Sequence, residues 1–275
     1  ADVTTTDGTA TLTAGTTIDI DANVTTNGGT ATLTAGTTIT STAAGTITTT
    51  GEDDAAQGTA GGAVLLHSTG AGAITLLGDI TASGGNTTAG SNDGGGAGVI
   101  TVRNDSGSIT IDDITATGGT SGGAAGTDGT IQLSATTTIA QQATTDITAA
   151  DGNLKLVSTG GDVTLNNVTN NVAIVAADLT GASSLSYTDA DALSIGMIAQ
   201  AGTGNAQLDA ETGIVATGPD ETVTVTSLTG QLTVDNVITT DSGNVVLTAT
   251  AGALQIDADV TTTDGTATLT AGTTI

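Results

Sequence analysis

Apolar and polar residues alternate in short runs along the whole chain. Ala10, Leu12 and Ala14 alternate with threonine, and Ile18 and Ile20 then alternate with threonine and aspartate. A period of two is typical of β-strands that bury one face, whereas a helix repeats every 3.6 residues. Because later stretches repeat this series of runs and none follows a helical period, we predict an all-β chain.

One corner position recurs along the chain and sets the length of each unit. A Val or Ile that opens a short strand returns after 21, 23, 33, 34, 33, 21, 69 and 23 residues, and the longest step fits three turns of about 23. The residue before it is Asp or Asn in eight of nine cases, with Thr46 as the exception. These corner residues are Asp2, Asn23, Thr46, Asp79, Asp113, Asp146, Asn167, Asn236 and Asp259. A fixed corner with variable length elsewhere predicts a parallel β-helix (β-solenoid) of about twelve turns of 21–34 residues, whose strands stack about 4.8 Å apart.

Three glycine-rich insertions account for the longer turns. They occupy residues 51–62, 83–98 and 117–129, and each follows the same short strand. Glycine suits such loops because it adopts positive φ angles without strain. We therefore expect the three loops to protrude from one edge of the coil, stacked above one another.

A second, longer repeat encloses the first. Residues 1–18 match residues 22–39 at 15 of 18 positions, and residues 258–275 repeat residues 1–18 without a change. We interpret residues 1–275 as a single continuous solenoid, in which residues 1–257 form one long unit and residues 258–275 begin the next identical unit. Isolated solenoids need polar caps, and neither end carries one, so we expect uncapped ends and further tandem copies along one rod.

The charge balance excludes several partners. The chain has 28 acidic residues against two Lys and Arg, a formal net charge of -26. Nucleic acids and anionic membrane surfaces need clusters of Lys and Arg, so neither is expected as a partner. The chain has no cysteine, which excludes disulfides and cysteine-based metal sites. No apolar run is long enough for a transmembrane helix, so we expect no membrane insertion by this segment.

Two stretches resemble a known family. Leu154–Gly196, which begins LKLVSTGGDVTLNNVTNNVAIV, and residues 243–275, which begin GNVVLTATAGALQIDADV, are similar to bacterial repeat proteins of the filamentous-haemagglutinin type. The resemblance implies a right-handed β-helix, an extracellular or cell-surface location and a place in the shaft of a giant secreted protein. The motifs that carry it concern the fold more than an activity.

Candidate catalytic residues are few and separated. Carbohydrate-active β-helices need clustered carboxylates, often with Arg, Lys or His, in a cleft. Arg103 and Lys155 lie at outward positions of equivalent strands at least one turn apart, and His67 ends another strand. We therefore expect three solvent-facing polar residues, no catalytic site and no organic cofactor.

The corner aspartates have two interpretations. Asp79, Asp113 and Asp146 are consecutive members of the corner column, and Asp112 is adjacent. Stacked carboxylates about 4.8 Å apart repel one another unless they are screened, protonated or bridged by a cation, and Ca²⁺ accepts such oxygen ligands. The alternative is that each aspartate accepts backbone N–H bonds at a tight corner. The first interpretation makes these four residues a calcium site, and the second gives them a structural role.

The outward side of the second strand in each turn changes along the chain. Threonines at residues 9–13 stand above threonines at residues 30–34, but Leu65 and Val99 occupy equivalent places in later turns. The threonine array is only two turns deep, so ice binding is not favoured. An exposed apolar patch indicates either a covering loop or a lateral contact between rods.

Together these features favour a structural role. We expect the non-catalytic shaft of an extracellular bacterial fibre or giant adhesin-like surface protein. Its partners would be further copies of itself, joined along the rod as covalent tandem repeats, and lateral bundling is the alternative to a covering loop at the apolar patch. An alternative is a glycan- or cell-binding adhesin module, for which Tyr187 is the only tyrosine in a chain without Trp or Phe. A polysaccharide-active enzyme is a further alternative, which measurable turnover would support.

Overall fold

The structure is a computed structural model that describes residues 1–87, 92–181, 183–202 and 207–275. Within these ranges it contains strands and turns and no helix, which confirms the predicted all-β class. In chain order the strands are β1 (Val3–Thr6), β2 (Ala10–Ala14), β3 (Thr17–Ile20), β4 (Val24–Asn27), β5 (Ala31–Ala35), β6 (Thr38–Ser41), β7 (Ile47–Thr48), β8 (Val64–Ser68), β9 (Ile74–Thr75), β10 (Ile80–Thr81), β11 (Ile100–Asn104), β12 (Ile109–Ile111), β13 (Ile114–Thr115), β14 (Thr130–Ala135), β15 (Ile139–Gln141), β16 (Ile147–Ser158), β17 (Val163–Leu165), β18 (Asn171–Thr180), β19 (Leu185–Asp189), β20 (Leu193–Ile195), β21 (Met197–Ile198), β22 (Glu211–Thr212), β23 (Ile214–Thr217), β24 (Val223–Ser227), β25 (Leu232–Val234), β26 (Ile238–Thr240), β27 (Val245–Ala249), β28 (Leu254–Ile256), β29 (Val260–Thr262) and β30 (Ala267–Ala271).

The strands form a parallel β-helix with three faces. Face 1 is the ladder β1–β4–β7–β10–β13, which continues into the start of β16. Face 2 is the ladder β2–β5–β8–β11–β14, which continues into the second half of β16. Face 3 is a separate ten-stranded sheet, β3–β6–β9–β12–β15–β17–β19–β24–β27–β30. Each turn adds one strand to face 3, so the described chain makes ten turns.

The turn lengths follow the predicted corner spacing in the first half of the chain. Val3 pairs with Val24, and the same register continues through successive turns to the pairing of Ile114 with Ile147. The count of ten turns is lower than the predicted twelve, and one turn exceeds the predicted length, since Tyr187 pairs with a residue 38 positions later, Val225. The cause is a lateral excursion that includes β21 and β22 and adds length without adding a turn.

Stacked aliphatic side chains fill the interior. Ile74, Ile109 and Ile139 are neighbours on face 3, and each is completely buried. Val, Leu and Ala continue similar columns on the other faces, and β-branched residues suit a pleated surface that is buried on one side. Tyr187 is the largest fully buried side chain. Its burial means that it does not provide a surface platform for a sugar ring.

In the seventh turn, the order of short and five-residue strands moves from one face of the coil to the next. Ala149 and Asn153 of β16 pair with Val172 and Ile174 of β18, so β18 crosses the corner between faces 1 and 2 with two residues fewer. Strands β20, β25 and β28 then stack on the first half of β18, while β23, β26 and β29 stack on its second half. The five-residue strands, which lie on face 2 in the first turns, lie on face 3 as β19, β24, β27 and β30.

Candidate functional site

A strip on the outer side of face 2 is covered by another part of the chain. Thr101, Gln132, Lys155 and Ala176 stand in one register column, and each is at most 3% exposed although it points away from the core. The cover is the excursion, here defined as residues 197–202 and 207–212, in which β21 pairs antiparallel with β22. Lys155 was expected to face solvent, and the excursion buries it completely.

Lys155 attaches the excursion to the coil. Its ammonium group donates hydrogen bonds to the carbonyl oxygens of Ala199 at 3.3 Å, Leu208 at 3.4 Å and Asp209 at 2.5 Å. Burial lowers the pKa of Lys155, and the charges of Glu211 and Asp209 oppose that shift. A charged amine with three carbonyl partners therefore joins two segments that lie more than 40 residues apart.

The excursion also approaches the strip closely at Gly202. A Cβ atom at Gly202 would lie 3.3 Å from Oγ1 of Thr101 and 3.6 Å from Nε2 of Gln132. The side-chain amide of Gln132 is buried, and neither of its polar atoms has a hydrogen-bond partner among the described residues. Close backbone approach thus excludes solvent from a strip that the alternating pattern assigns to the surface.

A groove of about 530 Å³ runs beside the excursion. The residues that line it are polar or charged for the most part, and they include Arg103, Asp105, Ser134, Thr136, Asp178, Gln207, Asp209 and Glu211. One cation therefore faces four carboxyl groups. The groove thus brings five charged side chains together on one concave surface.

Two of the polar residues considered as catalytic candidates, His67 and Arg103, meet at one end of the groove. His67 and Arg103 are register neighbours on β8 and β11. Nε2 of His67 lies 2.9 Å from Oδ2 of Asp105, and Nε of Arg103 donates to Oδ1 of Asp105 at 2.6 Å. Burial raises the pKa of Asp105, but the hydrogen bonds from His67 and Arg103 outweigh it and leave the pKa below its ordinary value. These residues form a cluster and not the separate surface positions that we expected.

Two further carboxyl groups in the groove have a raised pKa. Burial raises the pKa of Asp178. Burial also raises the pKa of Glu211, helped by the charge of Asp178 and opposed by Lys155. Neither carboxyl group receives a hydrogen bond from another side chain in the part of the chain that the structure describes. Sequence reasoning did not find this pair, because Glu211 belongs to the excursion and reaches the groove only through its fold.

The corner column is present in the first six turns. The register of face 1 places Asp2, Asn23, Thr46, Asp79, Asp113 and Asp146 one above the next. Asp2 accepts a hydrogen bond from the backbone N–H of Asn23 at 3.1 Å, and Asp113 accepts one from the backbone N–H of Asp146 at 2.5 Å. These contacts are of the kind that a turn role requires.

The last three residues assigned to this column lie elsewhere. Thr148 pairs with Asn171, so Thr169 and not Asn167 stands level with Asp146, while the buried Asn170 accepts the N–H of Ile147 through its Oδ1 at 3.0 Å. Ile238 pairs with Val260, so Val237 and not Asn236 stands level with Asp259. Asn236 and Asp259 also lie just before β26 and β29, and these strands continue face 2 and not face 1. The seventh turn thus ends the column, because the strand that follows each corner moves to another face.

The calcium candidates remain close to one another without forming a recognisable metal cage. Burial raises the pKa of Asp79 and of Asp112, and the charge of Asp113 adds to both shifts. Asp146 accepts a short hydrogen bond from the hydroxyl of Thr169. Over the described ranges, no group of three or more His, Asp or Glu side chains is arranged to hold a metal ion.

The glycine-rich insertions stack into a block, here called the loop block, built from the described parts of residues 51–62, 83–98 and 117–129. Backbone hydrogen bonds link one loop to the next, for example from Gly85 N to Thr59 O at 2.8 Å and from Gly119 N to Gly95 O at 2.8 Å. A Cβ atom at Gly119 would lie 1.9 Å from the carbonyl oxygen of Gly85, so no other residue fits there. The loops therefore support one another. Leu65 and Val99, which were expected to form an exposed apolar patch, are half-buried.

No protein-family model, curated protein or solved structure matches this chain. None of its described segments forms a helix of the length and apolarity needed to cross a membrane.

Proposed function

We propose that this chain is part of the non-catalytic shaft of an extracellular bacterial fibre or giant adhesin-like surface protein. The observation that carries the proposal is the combination of an uninterrupted ten-stranded parallel ladder on face 3 with an eighteen-residue segment that recurs after 257 residues. A ladder of backbone hydrogen bonds along the axis favours length and stiffness, because each turn contacts mainly its neighbours. The partners in this role are further copies of the same unit.

The surface chemistry supports the same proposal. A net charge of -26 on 275 residues keeps rods apart in solution and favours solubility. At about 4.8 Å per turn, ten turns extend about 45 Å along the axis. The loop block and the excursion add features to the side of this rod, and the ladder of face 3 continues through all ten turns.

Electron microscopy of the native full-length chain tests the shaft. We expect unbranched rods whose width matches one coil and whose length increases with the number of 257-residue units. Compact particles of uniform size, with no elongated species at any protein concentration, would contradict the proposal.

A second candidate function is a glycan-binding adhesin module, and the groove is the observation that favours it. Asp178 and Glu211 supply acceptors that no described side chain occupies. A glycan array with the wild-type chain and with the D178N/E211Q variant tests this idea, and Asp7→Asn in the first turn is the control. Saturable binding that only the groove variant loses would support the module. Equal binding by all three chains, or none, would count against it.

A further inference from the structure

The two identical segments of the chain occupy different faces of the coil. In residues 1–18, Ala10–Ala14 lie on face 2 and pair with Ala31–Ala35. In residues 258–275, Ala267–Ala271 lie on face 3 and pair with Val245–Ala249. The same five letters, ATLTA, thus form β2 in one sheet and β30 in the other.

The corner that precedes these strands moves with them. The hydroxyl of Thr5 donates to the carbonyl oxygen of Gly8 at 2.7 Å, between faces 1 and 2. The hydroxyl of Thr262 makes the same contact with Gly265 at 2.8 Å, between faces 2 and 3, and Thr240 repeats it one turn earlier. The local geometry of the corner is therefore kept, and the whole pattern has rotated by one face.

The rotation can be expressed in turns. Val3 lies on face 1 of the first turn, and Val260, the equivalent residue of the second copy, lies on face 2 of the tenth turn. The 257-residue offset therefore corresponds to nine turns and one additional face. A third of a turn is left over each time the pattern repeats.

The second copy has the strands on which a further turn can pair in this rotated position. Residues 1–18 present one edge to residues 22–39, which pair with them in register as β4, β5 and β6. Residues 258–275 have the same side chains in the same order. A following segment identical to residues 22–39 would find the same partners, displaced by one face.

We propose that successive 257-residue units are rotated about the shaft axis by one face, about a third of a turn, with respect to the unit before. This inference rests on the shaft proposed above. The loop block and the groove then point in three directions in turn and return to the first direction after three units. At about 4.8 Å per turn, the block recurs about every 45 Å along the axis and regains its direction after about 135 Å. A shaft built in this way offers the same lateral surface to neighbours on all three sides.

A chain of three successive copies of residues 1–257, closed by residues 258–275, tests the rotation. The protein lacks cysteine, so Ala55→Cys in each copy places one maleimide-gold label on an exposed part of each loop block. Electron cryo-tomography of single rods should show three labels about 45 Å apart in projection along the axis, each displaced by about 120° around it.

A matched variant separates rotation from length. Val3 pairs with Val24, so residues 1–21 form one complete turn. Removing these residues from the second and third copies should shorten each interval by about 4.8 Å and leave the 120° displacement unchanged. Labels in a single line along an intact rod would overturn the rotation while leaving the shaft in place. A compact particle in place of an extended rod would overturn the shaft and the rotation together.

Discussion

The turns up to Leu165 and the turns from Leu193 onward use the same kinds of strand on different faces. In the first region, the five-residue strands lie on face 2 and the corner aspartates precede face 1. In the second region, the five-residue strands lie on face 3, although the corner contact between a threonine and a glycine is the same. The difference shows that the local sequence of a turn determines its shape and not the face on which it sits.

The face is set by the residues that join the two regions. Asp189 is completely buried and accepts hydrogen bonds from the hydroxyl of Tyr187 at 2.7 Å, from Val172 N at 3.0 Å and from Asp191 N at 3.0 Å. Asn170 is also buried, and its amide nitrogen donates to Gln141 Oε1 at 3.0 Å. This polar network occupies the turn in which the coil loses two corner residues, and we expect it to hold the altered path.

The two regions also accommodate additional length in different ways. The first region has three insertions in register, and they stack on one another through backbone hydrogen bonds. Among the described residues of the second region, a single insertion folds back onto face 2, where Lys155 holds it. A repeated insertion can support itself, whereas a single one needs a side chain of the coil.

The largest effect is expected from Asp189→Ala, which removes the junction between the two regions. The substitution leaves the tyrosine hydroxyl and the N–H of Val172 buried without an acceptor, and it also removes the acceptor of the Asp191 N–H, which should lower the free energy of unfolding by about 4 kcal/mol. Urea unfolding followed by circular dichroism measures the loss. Asp191→Ala is the control, because Asp191 is exposed and its removal should change stability by less than about 0.5 kcal/mol. Equal losses in both variants would show that the buried network does not hold the junction.

Gly119→Ala tests whether the loop block of the first region supports itself. The new methyl group would meet the carbonyl oxygen of Gly85 at 1.9 Å, so we expect a loss of about 2 kcal/mol and faster amide exchange throughout residues 117–129. Gly15→Ala is the matched control, since nothing lies within 4 Å of its Cβ position. Hydrogen-exchange mass spectrometry measures both. Unchanged exchange in the loop block of Gly119→Ala would contradict mutual support.

Lys155→Met tests how the excursion of the second region is held. The pKa of Lys155 is lowered on folding, so the unfolded chain binds more protons between that pKa and the ordinary value of 10.5. The free energy of unfolding of the wild type should therefore rise with pH in this window, by about 1.4 kcal/mol for each unit of pKa shift. The variant should lack this rise, and Tyr187 is common to both chains. Parallel curves from pH 7 to 10 would mean that the ammonium group is not buried.

The smallest effect is expected from two carboxyl groups of the groove beside the excursion. The pKa values of Asp178 and Glu211 are raised on folding, so the folded chain binds more protons above the ordinary values of 3.8 and 4.5. Stability should therefore fall as pH rises through this range, and the D178N/E211Q variant should lose that slope. Thermal unfolding between pH 3 and pH 7 measures it.

Asp105→Asn provides a control of opposite sign in the same groove. The pKa of Asp105 is lowered on folding, so its contribution to stability is present above the ordinary value of 3.8 and is lost as pH falls toward the folded pKa. The same direction of change in both variants would contradict the assigned pKa shifts.

Sequence patterns predicted the strands, the parallel coil and the turn lengths of the first region, because each turn there repeats the register of the turn before it. They did not predict the change of face, which depends on a corner that is two residues shorter. Only one residue separates Val172 from Ile174 in β18, whereas three residues separate their partners Ala149 and Asn153 in β16. They also placed Lys155 in solvent, because alternation reports only inward or outward direction. The segment that covers it begins more than 40 residues later, and no local pattern connects the two.

The position of Tyr187 gives this protein an internal optical probe. It is the single tyrosine in a chain without Trp or Phe, and it lies buried in the seventh of ten turns, inside the junction. Absorbance and fluorescence near 280–300 nm therefore report almost nothing except that layer. A coil of nearest-neighbour contacts can fray from its ends, and such fraying would leave the tyrosine emission constant while circular dichroism already declines. The separation of these two signals on heating would measure how many turns melt before the seam between the two regions opens.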